Sequence, residues 1–358
     1  MANKLVFVIY DSILNSVFDG QVLIPLTKML KNQKYAHIYV VSFETHTLDK
    51  KYLQHLNLLY PNLSVIIIKR WKFITPLFLH NQIRKLRNFL KSLSDYEIIA
   101  RGPLAGFLVN KSLDRPTTTP ITIQARGLLE QEYHYTHRTS SFFLSLFHAW
   151  RARQYKKIEQ FVYKNTEHKY YTIEVVSIAL QNYLIKTFGT SKTHIVQAQH
   201  DIPAPIPKEK IIYWRTKVRN DLNINEHARV YCFSGAAKSW QKPGLIIDYF
   251  VEHQKQNINS FLLVLTPDKK LFEKLLQKRV TPNAYRVLNI PHQRMYEHLA
   301  AADTGLVFRE SGIASWVARP VKAMEYEAVG LQIVHNNTVD WLVQRYGINR
   351  DLMRAPLV

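Results

Sequence analysis

Arg309, Glu310, Ser311, Gly312, Lys322 and Glu325 are the residues of this 358-residue chain whose types and spacing best suit an anionic ligand. They follow a short apolar run at 304–308 that has the length of a buried strand. Arg309 to Gly312 form a charged, flexible bend beyond it. Pro320 suits the first turn of a helix, and Gly330 suits its exit. Residues 331–335 then resume a strand. In open α/β sheets ligands bind outside the carboxyl ends of the strands, and helix amino termini favour anions. A phosphorylated ligand fits there. The competing account is a solvated helix on which Lys322 and Glu325, three apart, form an ordinary stabilising pair.

A second segment, 233–243, reads as strand, small-residue turn and helix. Gly235, Ala236 and Ala237 allow a backbone to approach a ligand closely. Lys238 and Lys242 could balance a diphosphate as point charges, and the register does not choose between them. A plain turn with solvated lysines competes with this reading. The spacing is not that of a P-loop. In 290–303, Met295, Leu299 and Ala302 fall at helical spacing and read as core. His292 stands at a strand end, where a structural role outweighs contact with a nucleotide.

The elements that must position these groups follow from short apolar runs alternating with helical patterns, which predicts an α/β fold with parallel sheets. The first half gives strands at 5–10, 37–42, 63–68, 96–100, 121–124, 169–173 and 193–196, with helices at 21–31, 79–93, 142–163 and 177–188. Pro203, Pro205 and Pro207 predict an extended linker over 199–210. Beyond it come strands at 230–234, 260–266, 285–289, 304–308 and 332–335 with helices between them, one at 293–301. The expected domains are therefore 1–205 and 206–358.

Pro320, Lys322, Glu325, Tyr326 and Gly330 resemble the Pro-x-Lys-x-x-Glu-Tyr-x-x-x-Gly run at the donor site of family 4-like glycosyltransferases of the GT-B fold. The resemblance covers most of the chain and is strongest over 229–341. It implies two Rossmann-like α/β domains facing each other across a cleft, with Glu325 holding the ribose of a nucleotide-sugar. Lys322 and the loop amides would face the diphosphate or sugar. Many such enzymes place a second glutamate eight positions earlier, where this chain has Val317; Arg309-Glu310 looks like the pair that a subgroup uses instead. Segments 233–243 and 290–303 are similar to the family's first-strand loop and to its helix ending Ala-Ala-Asp. On the acceptor side, Asp19-Gly20 matches a glycine-containing loop that faces the donor phosphates. Arg126-Gly127, followed by Glu130 and Glu132, resembles an Arg-Gly plus acidic segment, and Arg126 would bind an acceptor phosphate. An ion pair from Arg126 to Glu130 competes with that role. Arg101-Gly102 repeats the pattern more weakly. The family often ends in a helix that crosses back onto the first domain, and residues 352–358 show no clear one.

Composition bounds the rest. Hydrophobic residues make up 47% and charged residues 21%, a globular balance. The single cysteine, Cys232, excludes an internal disulfide and multi-cysteine zinc sites, and reads as buried packing. No signal-peptide layout or bilayer-spanning apolar run is visible, so a cytoplasmic protein is expected. The net charge of +21 is uneven: residues 1–200 hold 26 Lys and Arg against 12 Asp and Glu, and residues 201–358 hold 22 against 15. An anionic partner follows, unless a generally basic proteome makes the charge uninformative. Arg84, Lys85, Arg87 and Lys91 surround an apolar face of Ile83, Leu86, Leu90 and Leu93, just after Lys69, Arg70, Trp71, Lys72 and Phe73. Basic residues interleaved with aromatics suit an anionic membrane surface, on the inner face of the cell membrane, although an ordinary packed helix accounts for the pattern equally.

The resemblance thus implies a metal-independent, hexosyltransferase-type enzyme that moves a sugar from a UDP- or GDP-sugar to a saccharide or lipid-linked acceptor, with retention, in bacterial surface polysaccharide biosynthesis. The nucleotide-sugar is a substrate and no cofactor or nucleic acid is expected. Two alternatives stand beside it: a basic nucleic-acid-binding protein, although no recognised binding motif is present, and a GT-B-fold sugar-nucleotide epimerase or binding protein.

Overall fold

The computed structural model describes residues 3–14, 18–71, 76–114, 117–137, 141–164, 170–198 and 206–349, without the side chains of 76–78. Expectations placed on residues 15–17, Lys72, Phe73, Pro203, Pro205 and 352–358 lie outside the described residues. The chain forms two compact units, residues 1–200 and 201–358.

Among the described residues the first unit is built on seven strands: β1 (Lys4–Ile9), β2 (His37–Glu44), β3 (Leu63–Lys69), β4 (Tyr96–Arg101), β5 (Ile121–Ala125), β6 (Tyr171–Val175) and β7 (Ile195–Gln197). All pair in parallel, in the order β3-β2-β1-β4-β5-β6-β7. β1 reads KLVFVI with no polar alternation, because both of its faces are covered, as the central strand of a parallel sheet requires. The helices are α1 (Ile24–Lys31), α2 (Lys50–Leu59), α3 (Pro76–Lys91), α4 (Gly102–Ser112), α5 (Leu129–Thr136), α6 (Phe142–Lys164) and α7 (Ile178–Phe188). The strand order reverses between β1 and β4, so the ligand-binding crevice of such a sheet lies beyond their carboxyl ends.

Among the described residues the second unit has five strands: β8 (Arg229–Ser234), β9 (Ser260–Leu265), β10 (Tyr285–Leu288), β11 (Thr304–Val307) and β12 (Gln332–His335). They are also parallel, in the order β10-β9-β8-β11-β12. Its helices are α8 (Lys208–Asp221), α9 (Pro243–Gln256), α10 (Lys269–Leu276), α11 (Met295–Leu299), α12 (Ile313–Trp316), α13 (Val321–Ala328) and α14 (Asp340–Tyr346). Successive side chains of β8 serve two core layers. Val230 and Cys232 pack with Leu263, Val307 and Tyr326, while Tyr231 and Phe233 pack with Ile246, Phe250 and Phe272. Here the strand order reverses between β8 and β11.

Three expectations change. The extended linker expected over 199–210 does not reach its expected end, because α8 begins at Lys208 with Pro207 as its cap, and residues 199–205 lie outside the described residues; proline is tolerated at a helix start although it breaks a helix interior. The helix expected at 293–301 is a 3-10 turn, His292–Arg294, followed by the short α11. Asp19 and Gly20 sit not in an open loop but in a π-helical turn, Asp19–Leu23, that runs into α1. Phe18, fully buried just before it, holds the chain in helical geometry.

Candidate functional site

The loops that follow β8 and β11 carry the donor-site residues inferred from the sequence, and both leave the sheet at its reversal point. Gly235 comes directly after β8 with φ of 126°, a conformation open to glycine and strained for other residues. Its N–H donates to Leu265 O at 2.9 Å. Two residues on, the Ala237 N–H donates to Asp268 Oδ2 at 2.7 Å. Lys238 and Lys242 are both exposed, and Lys242 caps α9 in the left-handed region at φ of 48°. After β11, Asn336 grips the backbone of Arg309 from both sides, accepting from its N–H at 3.1 Å and donating to its carbonyl at 2.6 Å. The Glu310 N–H then donates to Trp240 O at 2.8 Å, which ties the two loops together. Ser311 and Gly312 are exposed, and Gly312, at φ of 146°, opens α12. Val317 is fully buried, so the position at which the resemblance leads one to look for a glutamate belongs here to the core.

Lys322 lies in the first turn of α13. Its ammonium sits 4.1 Å from the centre of the Phe233 ring and donates to Gln241 Oε1. Desolvation above all, and then the Arg309 charge, lower its pKa to about 7, while Glu325 opposes the shift. The lysine expected to greet a diphosphate is therefore held under the β8 loop, where desolvation disfavours its charged form. Glu325, one turn further, is mostly buried and faces His292 Nε2 at 3.6 Å. Burial, with the Glu325 charge adding to it, raises Tyr296 beside it to about 12. Tyr326 is structural, since its hydroxyl accepts from Ser234 N–H at 2.8 Å and Ser234 Oγ at 3.1 Å. Its ring covers Gly305, where a Cβ would overlap it. Asp303 is structural too, pairing with Arg215 at 2.5 Å and Arg219 at 3.0 Å and accepting the Val230 N–H at 2.7 Å. Sequence reasoning missed Gln241 and Asn336, whose roles depend on loops brought together by folding.

The first unit has its own cavity of about 400 Å³ at the β1/β4 reversal, lined by Tyr10, Asp11, Arg70, Arg101, Arg126, Gly127, Glu132 and Arg151. Four guanidinium groups thus face two carboxylates, and the amino end of α4 at Gly102 and Pro103 adds its positive dipole. Arg101 donates to Gln21 Oε1 at 2.5 Å, and Arg70 stacks 4.9 Å from the Tyr10 ring centre. Arg126 pairs with Glu174 at 3.5 Å rather than with Glu130, which reaches Lys156 at 3.9 Å. Gly127 lies under the Glu132 carboxylate, and a Cβ there would overlap it. Gly20 stands in the turn next to Gln21. Beneath these loops Glu159 is buried, accepting from Leu129 N–H at 2.7 Å and Glu130 N–H at 3.3 Å, and desolvation raises its pKa to about 8. A larger cavity of about 610 Å³ opens at the opposite ends of β8 and β9, around Asn225, Ser260 and Arg279; it takes no group from the donor loops.

The basic helix α3 is packed. Leu86 and Leu90 are buried, Arg87 donates to Lys111 O at 2.8 Å and Ser112 O at 3.3 Å, and Lys91 pairs with Asp114 at 2.9 Å. Among the described residues no group of three or more His, Cys, Asp or Glu could hold a metal ion, and no helix is long and apolar enough to cross a membrane.

No family model matches the chain, and no curated protein matches it. Solved structures do. WaaG, a glycosyltransferase involved in lipopolysaccharide biosynthesis, aligns with a TM-score of 0.64 at 14% identity, over 96% of this chain and 83% of WaaG. A glycosyltransferase from Rickettsia africae ESF-5 aligns with a TM-score of 0.64 at 11% identity, over 94% and 80%. A UDP-forming α,α-trehalose-phosphate synthase from Burkholderia vietnamiensis aligns with a TM-score of 0.62 at 9% identity, over 96% and 86%. The fold is that of the GT-B glycosyltransferases, with two Rossmann-like units.

Proposed function

We propose that this protein is a glycosyltransferase whose second unit binds a nucleotide-sugar, with UDP or GDP as the leaving nucleotide. One observation carries the reading. The loops after β8 and β11, at the reversal point of a sheet with this fold, are joined through Glu310 and Trp240, and Glu325 lies on α13, whose Lys322 reaches Gln241 of the first loop. Glu325 accepts the ribose hydroxyls. Arg309, Lys238 or Lys242, and the loop N–H groups meet the diphosphate; Lys322 supports it from beneath. These charges and dipoles stabilise the departing nucleoside diphosphate while the site holds the acceptor hydroxyl near the anomeric carbon. The transfer retains configuration and needs no metal.

The acceptor carries a phosphoryl or other acidic group, which the four arginines of the first unit receive. A lipid-linked saccharide of a surface polysaccharide fits this chemistry, and catalysis takes place at the membrane surface.

The test is thermal stabilisation by UDP, GDP, CMP and their sugars, in wild type and Glu325→Ala. One of these nucleotides should stabilise the wild type. The variant should keep its fold and lose roughly 1.5–3 kcal/mol of binding free energy, the worth of hydrogen bonds to a charged group. Equal stabilisation of both proteins would remove Glu325 from the site. Turnover should survive EDTA; loss on chelation, restored by magnesium or manganese, would overturn the metal-free mechanism.

A further inference from the structure

The start of α6 lies exposed among the described residues. Residues 142–147 are exposed around the whole helix, and Phe143, Phe142 and Trp150 retain 82%, 70% and 42% of their surface. Leu144, Leu146 and Phe147 complete the apolar tip. A helix that packs in a groove or against a second copy shows one apolar stripe with a polar back. This tip has no polar back: Ser145 and His148 are its only polar residues from Phe142 to Trp150. The next turns carry Arg151, Arg153, Lys156 and Lys157, and no acidic residue occurs between Phe142 and Ile158. An apolar, aromatic tip with a basic collar is the order of chemistry met on entering an anionic bilayer from its headgroups.

We propose that the amino-terminal part of α6 seats the protein on an anionic phospholipid surface. The tip enters the boundary between headgroups and acyl chains, and the collar pairs with lipid phosphates. At about 1.5 Å per residue the nine residues from Phe142 to Trp150 extend roughly 13 Å, enough to cover the ~5–10 Å depth of such seating. Arg151 and Tyr155, which line the arginine cavity, follow within two turns of Trp150 on the same helix. Seating therefore sets that cavity at the level of lipid phosphates, a consequence that rests on its reading as an acceptor site. It also moves the membrane contact away from α3, whose Arg87 and Lys91 are engaged within the protein.

Co-sedimentation of the full chain with vesicles of phosphatidylcholine plus phosphatidylglycerol, and of phosphatidylcholine alone, tests this. The mixed vesicles should capture the wild type, and salt should weaken the capture. Phe142→Ser/Phe143→Ser should lower partition roughly a hundredfold with an unchanged circular dichroism spectrum, since these two rings keep most of their surface exposed. Arg153→Glu/Lys157→Glu should remove the preference for the anionic lipid. Brominated acyl chains should quench emission that is absent in Trp150→Phe. Equal vesicle binding by the double serine variant overturns the proposal. So does conversion of a dimer to a monomer by that variant without change in vesicle binding, which would give the tip to a second copy. Vesicle binding needs no turnover, so it survives even if the protein transfers no sugar.

Discussion

Lys322 reaches across to the bare face of Gly235: a Cβ on that glycine would lie 3.0 Å from the lysine Nζ. The absence of a side chain on the β8 loop makes the room in which the ammonium meets Phe233 and Gln241. Gly235→Ala should cost about 1–3 kcal/mol of stability, from the strained φ and the displaced amine together. Urea unfolding checks it; a loss within about 0.5 kcal/mol would mean the loop relaxes without resistance.

Lys322 also predicts a proton linkage. Its pKa near 7 in the folded protein is below its ordinary value of 10.5, so the unfolded chain binds the extra proton between those limits. Stability should rise with pH from 7 towards 10.5 relative to Lys322→Met, and the two should run parallel below pH 7. A diphosphate placed nearby favours the charged amine. Binding of UDP or GDP at pH 8 should therefore take up as much as one proton, seen by calorimetry in buffers of different ionisation enthalpy. No uptake, or the same uptake in Lys322→Met, would separate this lysine from the phosphates.

Glu159 works in the opposite sense. Burial raises its pKa from 4.5 to about 8, so the folded state binds the extra proton between those values. Its contribution is most favourable below pH 4.5 and declines as the pH rises through 8. Glu159→Gln keeps an acceptor for the Leu129 N–H and removes the charge. It should stabilise the protein above pH 8 by on the order of a few kcal/mol and lose that advantage near pH 4. An advantage independent of pH would mean that the carboxylate is not desolvated.

The arginine cavity predicts a split in kinetics. Arg101→Met and Arg70→Met should raise KM for an acidic acceptor roughly 10- to 100-fold, the worth of one charge-assisted hydrogen bond each. Hydrolysis of the donor to water should be unchanged, because the donor loops belong to the second unit. Equal loss of both activities would place these arginines elsewhere in the mechanism.

The strands were legible because buried parallel strands are written as short apolar runs; each of the twelve among the described residues lies within a few residues of its expected place. Helices were less so. α8 hides behind Pro207, whose usual meaning as a helix breaker fails at a cap. α4, which starts on a glycine and a proline, has no counterpart among the expected helices. At the site, the spacing of Lys322 and Glu325 marks the helix, but the neighbours that set their chemistry come from Phe233, Gln241 and His292, 33 to 89 positions away in the chain. The α6 tip shows the reverse failure. The sequence shows a helical pattern over 142–163, and only the fold reveals that residues 142–147 stay exposed among the described residues.

Arg219 is almost wholly enclosed, and its guanidinium binds the carbonyls of Asn225, Glu226, Ala228 and Ala301 together with the Asp303 carboxylate. One side chain of α8 thus rivets that helix to the entry of β8 and to the turn before β11. The natural place to cut the gene is therefore upstream of α8. A fragment starting at Ile206 should fold and bind nucleotide by itself, whereas one starting at Arg229 would leave the Ala301 carbonyl and the Asp303 carboxylate without their cation and should be recovered as aggregate.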